Sequence, residues 1–117
     1  MRHVATRANA ERIKPLGEPA LWILLSLAEQ PRHGYGLMKD VERLSEGRVR
    51  LSTGTMYGAL RRLLENCWID RATTADASRD KQLYRLTPAG RSELKRELEH
   101  LSLWTRAASA QVKRGTV

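Results

Sequence analysis

A chain of 117 residues supports one compact domain whose core needs no covalent staples. Its 21 Lys and Arg against 13 Asp and Glu leave a formal net charge of +8, which makes a polyanion the leading partner. The single cysteine, Cys67, excludes an internal disulfide and fits a cytoplasmic location, and neither a membrane-length apolar run nor a secretory h-region is apparent.

In chain order, residues 1–15 lack apolar periodicity and carry Arg2, Arg7, Arg12 and Lys14 against Glu11. They are read as a basic N-terminal arm or, equally, as a solubilising terminus. A first helix is predicted from Glu18-Pro19 to Gln30, with Pro19 suited to an early helical position and Pro31 ending it. It is apolar almost all round, which predicts the central helix of the fold. Arg32-His33-Gly34 is read as a turn. A second helix is predicted from Tyr35 to about Ser45, burying Leu37, Met38, Val41 and Leu44, with Glu46-Gly47 closing it. Arg48 to Leu51 alternates and is read as a very short strand.

Ser52 is the expected N-cap of a third helix reaching Leu64. Met56, Leu60, Leu63 and Leu64 fall on one face of it, and Gly54, Thr55, Gly58, Arg61 and Arg62 around the other. A glycine inside a helix costs on the order of 1 kcal/mol relative to alanine. Gly58 therefore suggests a surface that must approach the backbone closely, such as the wall of a DNA groove.

Cys67–Thr73 and Lys81–Leu86 are expected to pair as an antiparallel hairpin around the polar turn Asp76–Asp80. Thr87 then caps a long helix opened by Pro88, in which Leu94, Leu98, Leu101, Ala108 and Val112 recur at close to a 3.5-residue period. One small domain has little to cover so long a stripe, and a homodimer is inferred. The expected fold is mainly α (α+β): a winged helix-turn-helix over 16–87, a dimerisation helix over 88–113 and a tail over 114–117.

Arg61 and Arg62 are the candidates for groove contacts on double-stranded DNA, by bidentate pairing with guanine or by neutralising a phosphate; the plainer role is that of surface arginines. Ser52, Thr53 and Thr55 sit where a helix N-terminus can hold a phosphate, or simply cap the helix. Tyr57 can pack with its ring and offer its hydroxyl to DNA. Arg79 and Lys81 flank the tip of the wing. His3, His33 and His100 share no ligand spacing with Cys67, so no metal is expected, and no cofactor fingerprint or catalytic pattern is present. His33 is expected to make a structural hydrogen bond. The few aromatics, with no Phe, argue against a single-strand stacking platform. Trp104 lies beside the Leu98–Leu101 seam, where it either packs in an interface or, with Trp22, offers a platform to a flat aromatic effector.

Three segments together resemble the PadR family of bacterial transcriptional regulators. They are the apolar first helix ending in Pro31-Arg32-His33-Gly34-Tyr35, then Gly54-Thr55-Met56-Tyr57 with Ala59-Leu60-Arg61-Arg62-Leu63, then Lys81-Gln82-Leu83-Tyr84-Arg85-Leu86-Thr87-Pro88-Ala89-Gly90. The single helix after the hairpin is similar to that of the short subclass. The resemblance implies a homodimeric winged-helix repressor on a palindromic operator. It also implies, from some short members, a planar ligand held between paired tryptophans, with Trp104 at the matching position. The chain departs from the family in having Gly58 where a proline usually follows the tyrosine. The competing classes are a basic winged-helix module that binds an acidic protein, and a non-specific architectural DNA-binding protein.

Overall fold

The computed structural model describes residues 16–72, 78 and 81–115. The basic arm, the wing-tip Arg79 and the last two residues lie outside the described residues. Helix α1 (Glu18–Glu29) starts after an extended Gly17 with a proline in its first turn, and ends where Gln30 turns extended ahead of Pro31. It buries Ala20, Ile23, Leu24 and Leu27 and half-buries Leu21, Trp22, Leu25 and Ala28 against the same core. Helices α2 (Gly34–Leu44), α3 (Thr53–Glu65) and α4 (Pro88–Gly115) all pack against it, as does strand β3 (Leu83–Leu86). The all-round apolar pattern of α1 thus corresponds to a helix buried on one side by three helices and a strand, with Leu21, Trp22, Leu25 and Ala28 half-buried on the other.

The sheet corrects two readings of the sequence. Arg32–His33 forms a strand, β1, rather than a turn. It pairs antiparallel with β3, Arg32 opposite Tyr84 and His33 opposite Leu83, while β2 (Ile69–Arg71) pairs with the other edge of β3. The order is β1-β3-β2. His33 does make its structural hydrogen bond, with Nδ1 3.1 Å from the Gln82 carbonyl oxygen.

Arg48–Leu51 is not a strand, because no strand among the described residues runs beside it. Its alternation has another cause. Leu51 enters the core, Val49 is half-buried with its N–H donating to Ser45 Oγ at 2.9 Å, and the two arginines face solvent.

The ends of α2 and α3 close in the same way. Gly47 N–H donates to the Glu42 carbonyl and Glu46 N–H to that of Arg43; Trp68 N–H donates to Leu63 and Cys67 N–H to Leu64. These are paired 6→1 and 5→2 closures, with Glu46 and Cys67 in the left-handed region at φ 54° and 61°. Cys67 therefore belongs to the helix stop, and the strand begins later than the alternation suggests.

Helix α4 is clasped to that stop. The Thr87 hydroxyl donates to the Cys67 carbonyl at 2.7 Å, Thr87 N–H donates to the Trp68 carbonyl at 3.1 Å, and Gly90 N–H donates to Thr87 Oγ1 at 3.0 Å. A Cβ at Gly90 would stand 1.9 Å from the Trp68 carbonyl oxygen, so only glycine allows this approach. At the C-terminal end of α1, the Arg91 guanidinium donates to the Ala28 carbonyl at 3.1 Å. Leu94, expected in an intermolecular seam, is 4% exposed and part of the chain's own core. The first member of the stripe is occupied within the domain because the start of α4 lies on α1.

A buried carboxylate fixes α2 on α1. Asp40 is 8% exposed; its Oδ2 accepts from Ser26 Oγ at 2.7 Å and lies 3.3 Å from Arg32, and its Oδ1 accepts from Arg43 at 2.8 and 3.0 Å. Burial pushes the Asp40 carboxyl up, but the Ser26 and Arg43 hydrogen bonds and the two positive charges outweigh it and hold the group below the usual carboxylate range.

Candidate nucleic-acid interface

Helix α3 turns Met56, Ala59, Leu60 and Leu63 into the core, leaving Thr53, Gly54, Thr55, Arg61 and Arg62 exposed. The expected division of faces is present. Ser52 Oγ accepts from Thr55 N–H at 3.1 Å and donates to Thr55 Oγ1 at 2.9 Å, so both hydroxyls are engaged in capping the helix. Thr53 stays exposed beside Tyr35, Met38, Met56 and Tyr57, which line a cavity of about 290 Å³. Tyr57 is half-buried and its hydroxyl lies over the buried Gly34, where a Cβ would stand 2.8 Å away. Its ring packs; the hydroxyl reaches back toward the start of α2.

A Cβ added at Gly58 would meet nothing within 4 Å. The glycine answers no internal constraint, and the helix carries a vacancy on its outer side. Gly58→Ala is accordingly expected to stabilise the protein by about 0.5–1 kcal/mol, read as a higher denaturant midpoint with an unchanged slope. A lower midpoint would mean that the backbone at Gly58 is not that of an ordinary helix.

The arginines of the hairpin divide into two kinds. Arg85 is matched by Asp70 across the β2–β3 pair, Nε to Oδ1 at 3.0 Å and Nη2 to Oδ2 at 3.2 Å, and this hydrogen-bonded partner raises its pKa further. Arg71, one residue along β2, has no ion pair among the described residues. With Arg61, Tyr57, Leu60, Leu64 and Tyr84 it lines a cleft of about 270 Å³ between α3 and the hairpin. In the sequence Arg71 is one charge in a short strand; the pairing of β2 with β3 beside α3 brings it to the same cleft as Arg61. Lys81 is exposed at the start of the return strand, facing a groove of about 560 Å³ shared with Pro31, His33, Tyr35 and Gly36. Tyr35 is exposed as well, with Lys39 Nζ 5.2 Å from its ring centroid.

Beyond Leu94, α4 leaves the domain. Leu98 is 40% and Trp104 66% exposed, with Leu101, Leu103 and Val112 also open and Ala108 half-buried. Trp22 is packed against the core and is only half-buried. No helix among the described residues is long and apolar enough to cross a membrane.

Comparison with known proteins agrees with this architecture. The profile described as the transcriptional regulator PadR-like family matches residues 23–96, from the middle of α1 into α4. A transcriptional regulator from Clostridium thermocellum superposes with a TM-score of 0.68 at 24% identity, over 78% of this chain and 89% of that one. A PadR family transcription regulator from Clostridium difficile gives 0.67 at 21% identity, over 82% and 99%. At such identities these structures speak for the fold alone. A curated relative, an uncharacterized 37.1 kDa protein in transposon Tn4556 of Streptomyces fradiae, is 35% identical over 80 residues. That match covers 68% of this chain and 22% of the relative, so the chain spans less than a quarter of its length. With the family profile running through the helix-turn-helix, the hairpin and the first turns of the last helix, the chain belongs to the PadR-like family of transcriptional regulators.

Proposed function

We propose that this protein is a repressor that binds a palindromic DNA operator as a homodimer. The observation that supports it most is the outward side of α3. Two arginines, Arg61 and Arg62, stand there with the exposed Thr53, and open space lies over Gly54 and Gly58. Such a surface suits the major groove, where arginines reach base edges or phosphates and uncovered backbone lets the duplex come close. Lys81 at the wing, with Arg79, meets the neighbouring backbone. Ser52 caps the Thr55 N–H, and the N–H groups of the first two helical residues, Thr53 and Gly54, are left to face phosphate. Dimerisation falls to the exposed part of α4, through Leu98, Leu101 and Ala108, with Leu94 inside the domain.

Selection of bound sequences from a random duplex pool tests the reading. The expected product is a two-fold symmetric site whose half-sites lie about one helical turn, roughly 34 Å, apart. A pool with no preferred sequence would leave a non-specific architectural binder, and a basic face that serves an acidic protein would lose that partner to excess random duplex. In transcription from a promoter carrying the selected site, the protein is expected to lower transcript yield. Flat aromatic compounds that release it should quench Trp104, and Trp104→Ala should abolish the quenching. Trp22, packed against the core, takes the lesser part in that site.

A further inference from the structure

We propose that the cleft between α3 and the β2–β3 hairpin binds one sugar–phosphate unit of the DNA strand, with Arg61 and Arg71 ligating the same phosphate from opposite walls. The proposal rests on the DNA-binding reading above and goes beyond it by adding Arg71 and by giving Arg61 to the backbone. Geometry leads to it. A helix in a major groove and a wing at the adjoining minor groove have a single sugar–phosphate strand between them. On this protein the crease between helix and wing is the cleft of about 270 Å³ lined by Tyr57, Leu60, Arg61, Leu64, Arg71 and Tyr84.

None of the six lining residues is acidic, and neither arginine has an ion pair among the described residues. Arg85 shows the alternative on the adjacent strand, where Asp70 neutralises the guanidinium. Two guanidinium groups facing one cleft repel each other, and an anion between them reverses the sign of that interaction. A phosphodiester fits the donors, since guanidinium forks match phosphate oxygens bidentately. Leu60 and Tyr84 form the buried floor of the cleft, and the half-buried Tyr57 and Leu64 present apolar surface that suits the face of a deoxyribose. Recognition here carries no sequence information; it sets the register of the helix in the groove. Base reading is left to Arg62 and to the N-terminal half of α3.

The experiment is a salt titration of binding to a random-sequence duplex of about 30 base pairs, followed by fluorescence anisotropy. Arg71→Ala is expected to weaken binding roughly five- to tenfold and to lower the log–log salt slope by about 0.9, the value for one phosphate contact. Arg71→Lys, which keeps the charge, should keep most of the slope. Arg61→Ala should behave like Arg71→Ala, equally on random duplex and on the selected site, and the double variant should lose less than the product of the two single losses. An unchanged slope with affinity within twofold for Arg71→Ala would overturn the proposal. So would fully multiplicative losses, or an Arg61→Ala loss confined to the selected site. In each of these results the wild-type protein still binds DNA and the functional reading stands. Wild-type protein that bound no duplex would instead remove the reading itself. All of these residues are exposed, and unchanged thermal unfolding of the variants would confirm that the losses belong to binding.

Discussion

Gly90→Ala is expected to lower the melting temperature by on the order of 15 °C, a loss of roughly 3 kcal/mol. At most helical positions the same change is stabilising, because alanine has the higher helix propensity. Here the added Cβ would lie 1.9 Å from the Trp68 carbonyl oxygen and 2.8 Å from its carbon, both backbone atoms. Neither can rotate aside as a flexible side chain would. Relief requires α4 to lift from the stop of α3, stretching the Thr87 hydrogen bonds to Cys67 and Trp68. For a domain whose total stability is typically 5–15 kcal/mol, such a loss is a large fraction. Thermal unfolding followed by circular dichroism decides it, and Gly58→Ala supplies the internal control. The same substitution should move the two transitions in opposite directions. A Gly90→Ala protein as stable as the parent would mean that the close approach is not maintained in solution.

The second large effect is expected at Asp40. Asp40→Ala removes the acceptor shared by Ser26, Arg32 and Arg43, leaving the fully buried Ser26 hydroxyl without its partner and the largely buried Arg32 guanidinium with only Glu29 and the Ser26 carbonyl to hold it. Breaking a buried charged contact from one side costs about 3 kcal/mol or more, even where the intact group adds little net stability. The pH dependence follows from the direction of the shift. The folded chain holds the carboxyl below its ordinary value, so the folded state favours the ionised form. That contribution is complete above the unfolded value of about 3.9 and disappears as the pH falls through the lower folded value. Wild-type stability should therefore drop on acidification below about pH 4, and Asp40→Ala should show a shallower drop over the same interval. Parallel profiles for the two proteins would dissociate Asp40 from acid unfolding.

The helices were legible because their signals are local. Pro19, Ser52 and Thr87 mark the starts, and the apolar spacing of α2 and α3 predicts which residues are buried. Strand β1 was not legible, since two residues carry no periodicity and become a strand only by pairing with Tyr84 and Leu83 far along the chain. The opposite error at Arg48–Leu51 has the same origin: alternation records which side faces the core, while a strand also needs a neighbour. Asp40 reads in the sequence as one more charge on an amphipathic helix, and its burial is decided by Ser26 and Arg32 from elsewhere. In the interface, Arg61 and Arg62 could be named from one helix alone. Arg71 could not, because its relation to Arg61 exists only after the hairpin has docked beside α3.

The clasp between Thr87 and the Cys67–Trp68 stop has a mechanical consequence. It joins the base of α4 to the end of α3 through two carbonyls and a glycine, with no slack linker between them. At 1.5 Å rise per residue the 28 residues of α4 form a lever of about 42 Å, so a tilt of roughly 5° at its base sweeps the far end through about 3.7 Å, close to one base-pair step. Conversely, any body that grips the far end and moves it by that distance turns α3 by the same small angle. The pivot is stiff where a transmission has to be stiff, and the glycine that permits it is the part that cannot be exchanged.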